Sequence, residues 1–130
     1  MSRPVPVAKA AVLVVEDEAL VRLRAVDIVE AAGFAVVSAS NADDAIGILE
    51  TRDDIRAVFT DVQMPGSMDG LGLMRLIKER WPTVATLVTS GKTNITQTDL
   101  PRGVRFFAKP YLQPQIESAL RQLIGDSASA

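Results

Sequence analysis

At 130 residues the chain has the length of one domain around one core, and 48% apolar against 23% charged residues is the balance of a globular protein, not a disordered one. It holds no cysteine and no histidine, which excludes disulfides, thiolate nucleophiles, imidazole bases and the usual zinc sites; chemistry is left to carboxylates, hydroxyls, lysine, arginine, backbone groups or a hard metal ion. The net charge of −2, from 14 basic and 16 acidic residues in mixed order, carries no footprint for nucleic acid or an anionic membrane.

Residues 1–10, with Pro4 and Pro6, read as a tail. The apolar run that follows, Ala11 to Val15, is short and β-rich, the pattern of a strand buried on both faces. Glu16-Asp17-Glu18 cut it far short of the roughly 20 residues of a membrane span, so a cytoplasmic chain is expected. From Ala19 to Ala32 the apolar residues Val21, Ala25, Ile28, Val29 and Ala32 recur at helical spacing, and Gly33 is a natural stop. A strand over Phe34–Ser38 and a helix over Ala42–Glu50 come next, the helix striped by Ala42, Ala45, Ile46 and Leu49. The alternation continues with a strand over Ala57–Thr60, a helix over Asp69–Arg80 that turns Leu73, Met74 and Ile77 inward, and a strand over Val84–Thr89. Lys92 to Leu100 has no apolar stripe and predicts a short, distorted or mobile helix, or a loop. A strand over Val104–Ala108 and a helix over Gln113–Ile124, with Ile116, Leu120 and Leu123 inward, complete a domain over residues 11–124; residues 125–130 form a second tail.

Strands and helices in strict alternation predict an α/β fold, a doubly wound, five-stranded parallel sheet, because each helix is the crossover that parallel neighbours require. Ligands of such sheets collect at the carboxyl ends of the strands. Those ends present Glu16-Asp17, Asp61, Thr89-Ser90 and Lys109 in turn. Converging carboxylates repel one another, and a hard cation with oxygen ligands, Mg²⁺ above all, would relieve them. Each group also has a plainer use: Asp17 as a helix N-cap, Asp61 as a turn-former before Met64-Pro65-Gly66, Ser90-Gly91 as a turn, Lys109 as a solvated lysine. Asp69, before Gly70, reads as a helix cap only. The joint placement favours a site, since unrelated causes would not set acid, acid, hydroxyl and amine at successive sheet ends.

Val14-Val15-Glu16-Asp17-Glu18, Thr60-Asp61-Val62-Gln63-Met64-Pro65 with Met68-Asp69-Gly70-Leu71, Thr89-Ser90-Gly91, and Phe107-Ala108-Lys109-Pro110-Tyr111 together resemble the receiver domain of bacterial two-component response regulators over about Ala11 to Ile124. The resemblance implies a flavodoxin-like (β/α)5 receiver fold and a role for each matching residue. Asp61 would be the phosphoacceptor. The Asp17 and Asp61 side chains and the Gln63 backbone carbonyl would hold Mg²⁺, with Glu16 completing the acidic pocket. Ser90 would be the switch hydroxyl, although Thr89 is adjacent and a one-residue error would exchange their faces. Lys109 would be the counter-charge to the phosphoryl group, and Phe106 an aromatic that moves with the switch or a plain core residue. Gln63 and Lys92 occupy places that tune phosphate lifetime in the family.

The chain departs from the pattern in the unstriped Lys92–Leu100 segment, where family members commonly signal and dimerise, and in a longer turn at Pro65-Gly66-Ser67-Met68. The expected function is a stand-alone phosphoacceptor receiver in a two-component system or phosphorelay, not a turnover enzyme. Its donor would be a histidine kinase or phosphotransfer protein, since no histidine is present, and its output an unknown downstream protein, with a homodimer possible and no direct contact with nucleic acid or membrane. A receiver-like scaffold that is never phosphorylated is the main alternative. A haloacid-dehalogenase-like phosphatase would want a second Asp where Gln63 stands, and a flavodoxin-like electron carrier a phosphate loop where Glu16-Asp17-Glu18 stand.

Overall fold

In the computed structural model, which describes residues 10–63, 68–91, 100 and 103–125, the apolar run at β1 (Ala11–Val15) is spent on two opposite faces. Val12 and Val14 enter a cluster with Ala25, Ile28 and Val29 of α1 (Ala19–Ala31) and Ile116, Ala119 and Leu120 of α4 (Gln113–Ile124). Ala11, Leu13 and Val15 enter another with Ala42, Ala45 and Leu49 of α2 (Ala42–Thr51) and Leu73 and Ile77 of α3 (Gly70–Arg80). A strand with helices on both faces has no polar side to show, which is why its sequence does not alternate. With β2 (Ala35–Ala39), β3 (Ile55–Asp61), β4 (Ala85–Ser90) and β5 (Val104–Ala108), it forms one parallel sheet in the order β2-β1-β3-β4-β5. Five strands and the four helices of the described residues make the expected doubly wound α/β fold. Among those residues no helix is long and apolar enough to cross a membrane.

Several boundaries move from their expected places, each for a local reason. β2 begins at Ala35 and not at Phe34, because Phe34 belongs to the end of α1. Its N–H bonds the carbonyl of Val29, the N–H of Gly33 bonds that of Glu30, and Gly33 sits at φ 98°, the left-handed cap that glycine alone adopts without strain. Phe34 and Val29 then bury their side chains in the same cluster. β3 gains Ile55 and Asp61 at its ends; a register shift after the Ala11–Ile55 pair leaves Arg56 outside the ladder and exposed. β4 starts and ends one residue later than the pattern indicates, so Ser90 closes it. In α1, Val21 is only half-buried and Leu20 and Leu23 point outward, at 81% and 59% exposure, so the helical stripe is narrower than expected. The expectations for Lys92–Thr98, Asp99 and the turn over residues 64–67 lie outside the described residues.

Helix starts follow their caps. Asn41 caps α2 by accepting from Asp44 N–H at 2.8 Å, and Asp69 caps α3 by accepting from Gly72 N–H at 2.9 Å. Asn41→Ala is expected to cost about 1 kcal/mol, read as a lowered urea midpoint at unchanged slope. A shift below roughly 0.3 kcal/mol would mean that solvent serves the freed N–H equally well.

Candidate functional site

The chain leaves β1 outward to β2 and returns across it to β3, so the order reverses between β1 and β3. At such a switch point the loops part and open a crevice at the carboxyl ends of the strands. Glu16 and Asp17 leave β1 at this place, Asp61 closes β3, Ser90 closes β4, and Lys109 follows β5. Backbone bonds hold the ends in register: Glu16 N–H to Ala39 O at 3.0 Å, Val62 N–H to Thr89 O at 2.9 Å and Lys109 N–H to Ser90 O at 2.9 Å. The Lys109–Pro110 peptide is cis.

Asp61 is 6% exposed and both of its carboxylate oxygens are engaged. Oδ1 accepts from Gln63 N–H at 3.1 Å, and Oδ2 accepts from Lys109 Nζ at 2.6 Å. The same ammonium lies 3.7 Å from Glu16 Oε1, so one lysine spans two buried acids. Burial pushes the Glu16 carboxyl up from the ordinary 4.5 to about 7; Glu18 N–H, 3.1 Å from Oε2, opposes this, while Asp17 and Asp61 push the same way. Burial also disfavours the charged Lys109, but the hydrogen bond and charge of Asp61, and then the charge of Glu16, outweigh it and hold its pKa above the ordinary lysine value.

Asp17 is exposed and is not the cap of α1: Glu18 takes that place, in an extended conformation and without a side-chain capping bond. Ser90 is fully buried, and its hydroxyl meets the Gln63 side-chain amide, at 3.0 Å from Nε2 and 3.3 Å from Oε1. The neighbouring Thr89 pairs by its backbone with Asp61 and is also buried. Phe106 is half-buried on the edge strand opposite Val88, a place between the core and the surface. Glu16, Asp61, Gln63, Ser90 and Lys109 are thus brought together, Asp17 stands at the rim, and Phe106 lies apart.

Among the described residues no three acidic side chains close into a ready metal cage. The donor set nevertheless suits Mg²⁺, which takes only one or two carboxylates and keeps its waters. A buried carboxyl raised by its own desolvation and by two acidic neighbours is the situation a divalent cation relieves.

Two contributors were not legible in the pattern. The first is Gly70, where a side chain's Cβ would stand 1.9 Å from the Asp61 carbonyl oxygen and 2.8 Å from Val62 Cα. Only its place directly after the capping Asp69 could have hinted at this. The second is the contact of the Gln63 side chain with Ser90: position 63 carried an expected tuning effect and a backbone carbonyl for Mg²⁺, but no side-chain partner.

The sequence profile of the response regulator receiver domain family matches residues 12–121. The chain belongs to that family. It is 36% identical over 85 residues to an NtrX-like response regulator of Rickettsia bellii, covering 65% of this chain and 18% of that protein. It is 30% identical over 125 residues to the hydrogenase transcriptional regulatory protein HoxA of Cupriavidus necator, covering 89% and 24%. The chain therefore spans about a fifth of the length of these relatives. In fold it matches the crystal structure of a response regulator receiver protein from Sinorhizobium medicae with a TM-score of 0.82 at 24% identity, over 92% of this chain and 97% of that one.

Proposed function

We propose that the chain is a phosphoacceptor in a two-component system or phosphorelay, and that Asp61 is the residue phosphorylated. The observation that carries this is the 2.6 Å contact of Lys109 Nζ with Asp61 Oδ2, on a carboxylate 6% exposed at the switch point of the sheet. A carboxylate so placed, with one oxygen on a backbone N–H and the other on an ammonium, is oriented for in-line attack on phosphorus. An Asp61 oxygen forms the new P–O bond as the bond from phosphorus to the donor breaks, and the donor leaves with that electron pair. Lys109 then faces the transferred phosphoryl group as its counter-charge, and the Ser90 hydroxyl is the donor that can turn onto a phosphoryl oxygen. Glu16, Asp17, Asp61 and the Gln63 backbone carbonyl are the groups that would hold Mg²⁺, which when bound supplies positive charge against the phosphoryl oxygens.

The phosphohistidine that would feed Asp61, on a histidine kinase or phosphotransfer protein, lies outside this sequence, which contains no histidine. The chain accepts and loses one phosphoryl group and is not a turnover enzyme in this reading. Incubation with acetyl phosphate, followed by intact mass, tests it. One phosphoryl group is expected with Mg²⁺, none without it, and none in Asp61→Asn. A gain that survives Asp61→Asn would place the acceptor elsewhere, and no gain under any condition would favour an unphosphorylated scaffold.

A further inference from the structure

Arg22 is a cation in an unfavourable place. It stands one turn into α1, where the helix dipole disfavours positive charge; the first turn holds no acid to offset it, and the capping Glu18 makes no side-chain bond. Arg22 is half-buried and forms no ion pair among the described residues. Its guanidinium reaches back six residues and donates from Nη1 to the Glu16 carbonyl at 2.8 Å. That carbonyl belongs to the peptide joining Glu16 to Asp17, so fixing it sets the direction in which the Asp17 side chain leaves the main chain at the end of β1. The other bonds of this turn act elsewhere: Glu16 N–H donates to Ala39 O at 3.0 Å, and Glu18 N–H to Glu16 Oε2 at 3.1 Å. The second of these occupies a carboxylate oxygen that a cation would claim. The bond from Arg22 uses only main chain and leaves both carboxylates available.

We propose that Arg22 is a positioning residue for the divalent-cation site: by holding the Glu16–Asp17 peptide it presents the two acids together, and so sets the affinity for Mg²⁺. The inference rests on the reading of Glu16, Asp17 and Asp61 as the acids that serve Mg²⁺. Groups that orient metal ligands commonly contribute about tenfold or more to affinity. A guanidinium suits the task, because it stays charged at any working pH and its bond to a carbonyl is charge-assisted. Charge alone predicts the reverse effect. A positive charge beside an acidic pocket repels Mg²⁺, so removing it would tighten binding, whereas removing the tether weakens it.

The sign of the change separates the two roles, and isothermal titration calorimetry of Mg²⁺ binding to wild type, Arg22→Met and Arg24→Met reads it. Arg22→Met keeps an unbranched stem without the guanidinium, and Arg22→Gln serves if it fails to melt cooperatively. Arg24→Met removes a neighbouring cation that lies 5.8 Å from the centre of the Tyr111 ring and bonds the Tyr111 carbonyl. Arg22→Met is expected to bind Mg²⁺ about tenfold more weakly, and Arg24→Met to stay within about twofold of wild type. Phosphorylation of Arg22→Met from acetyl phosphate should need about tenfold more Mg²⁺ at half-saturation, with a rate at saturating Mg²⁺ within about twofold of wild type. Unchanged or tighter binding by Arg22→Met overturns the proposal, as does an equal loss in Arg24→Met or a saturating rate that falls in step with the affinity. A wild type that binds no Mg²⁺ overturns instead the reading of the acidic pocket on which the proposal rests.

Discussion

Gly70→Ala is expected to lower stability by about 3 kcal/mol or more, far beyond the loss usual for a small surface change, because the added methyl would overlap main chain and not a side chain that can turn away. Its Cβ would stand 1.9 Å from the Asp61 carbonyl oxygen and 2.8 Å from Val62 Cα, and the N–H of the same glycine bonds the Val62 carbonyl at 2.9 Å. The N-terminus of α3 and the end of β3 are therefore pressed backbone to backbone, and any side chain at position 70 must push them apart. Asp61 would move with that displacement, so phosphorylation from acetyl phosphate should fall together with stability. Gly47 is the internal comparison. It lies within α2, and a Cβ there meets nothing within 4 Å. Gly47→Ala is expected to stabilise by about 0.5–1 kcal/mol, the ordinary helical preference for alanine. Urea titrations of both variants measure the difference; a Gly70→Ala midpoint indistinguishable from wild type would show that the end of β3 yields freely.

Lys109→Ala is expected to slow phosphorylation by about 10²-fold or more while strengthening the apparent affinity for Mg²⁺. The rate falls because charge gathers on the transferring phosphoryl oxygens, and a fixed counter-charge at such a place is worth about 2–4 kcal/mol of barrier. The metal affinity moves the other way because Lys109 is itself the cation that spans Asp61 and Glu16, at 2.6 and 3.7 Å. Without it, two side chains only 7% exposed lose their shared positive neighbour and attract a divalent ion more strongly. In Mg²⁺-free buffer the same vacancy should cost about 1–2 kcal/mol of stability; the value lies below that of a fully buried pair because the lysine side chain is 30% exposed and solvent screens part of the interaction. Phosphorylation rates by intact mass and Mg²⁺ titration by thermal shift test the pair of effects. A slowed rate with weakened Mg²⁺ binding would mean a collapsed pocket, and an unchanged rate would remove Lys109 from the mechanism.

Much of the fold was legible because its signals are local. Ala11–Val15 announced a doubly covered strand without reference to any partner, and the stripe Ile116, Leu120 and Leu123 placed the last helix at its observed limits, with Ile116 and Leu120 in the core and Leu123 against it. Asp69 was recognisable as a cap from its position before an apolar periodic segment, and its bond to Gly72 N–H is the one a cap makes. The misplaced start of β2 has the opposite character. Phe34 looks like strand by composition, but its backbone is claimed by the left-handed cap at Gly33, a choice between two adjacent structures that β-propensity does not resolve.

For the site, the sequence by itself determined the chemistry available. No histidine and no cysteine, with acids, a hydroxyl and an amine at successive strand ends, confine the chain to carboxylate and cation chemistry at the carboxyl edge of its sheet. Only the tertiary structure decided how those groups divide the work. Glu16 is the buried acid and its pKa is driven up, Asp17 is exposed at the rim, Lys109 spans two carboxylates, the Gln63 amide meets the Ser90 hydroxyl, and a glycine is required at position 70 by a carbonyl nine residues earlier. The reason is physical. Helix and strand preferences depend on neighbours a few residues apart, whereas these contacts depend on strand register and on the path of connections between distant segments, which no local spacing encodes.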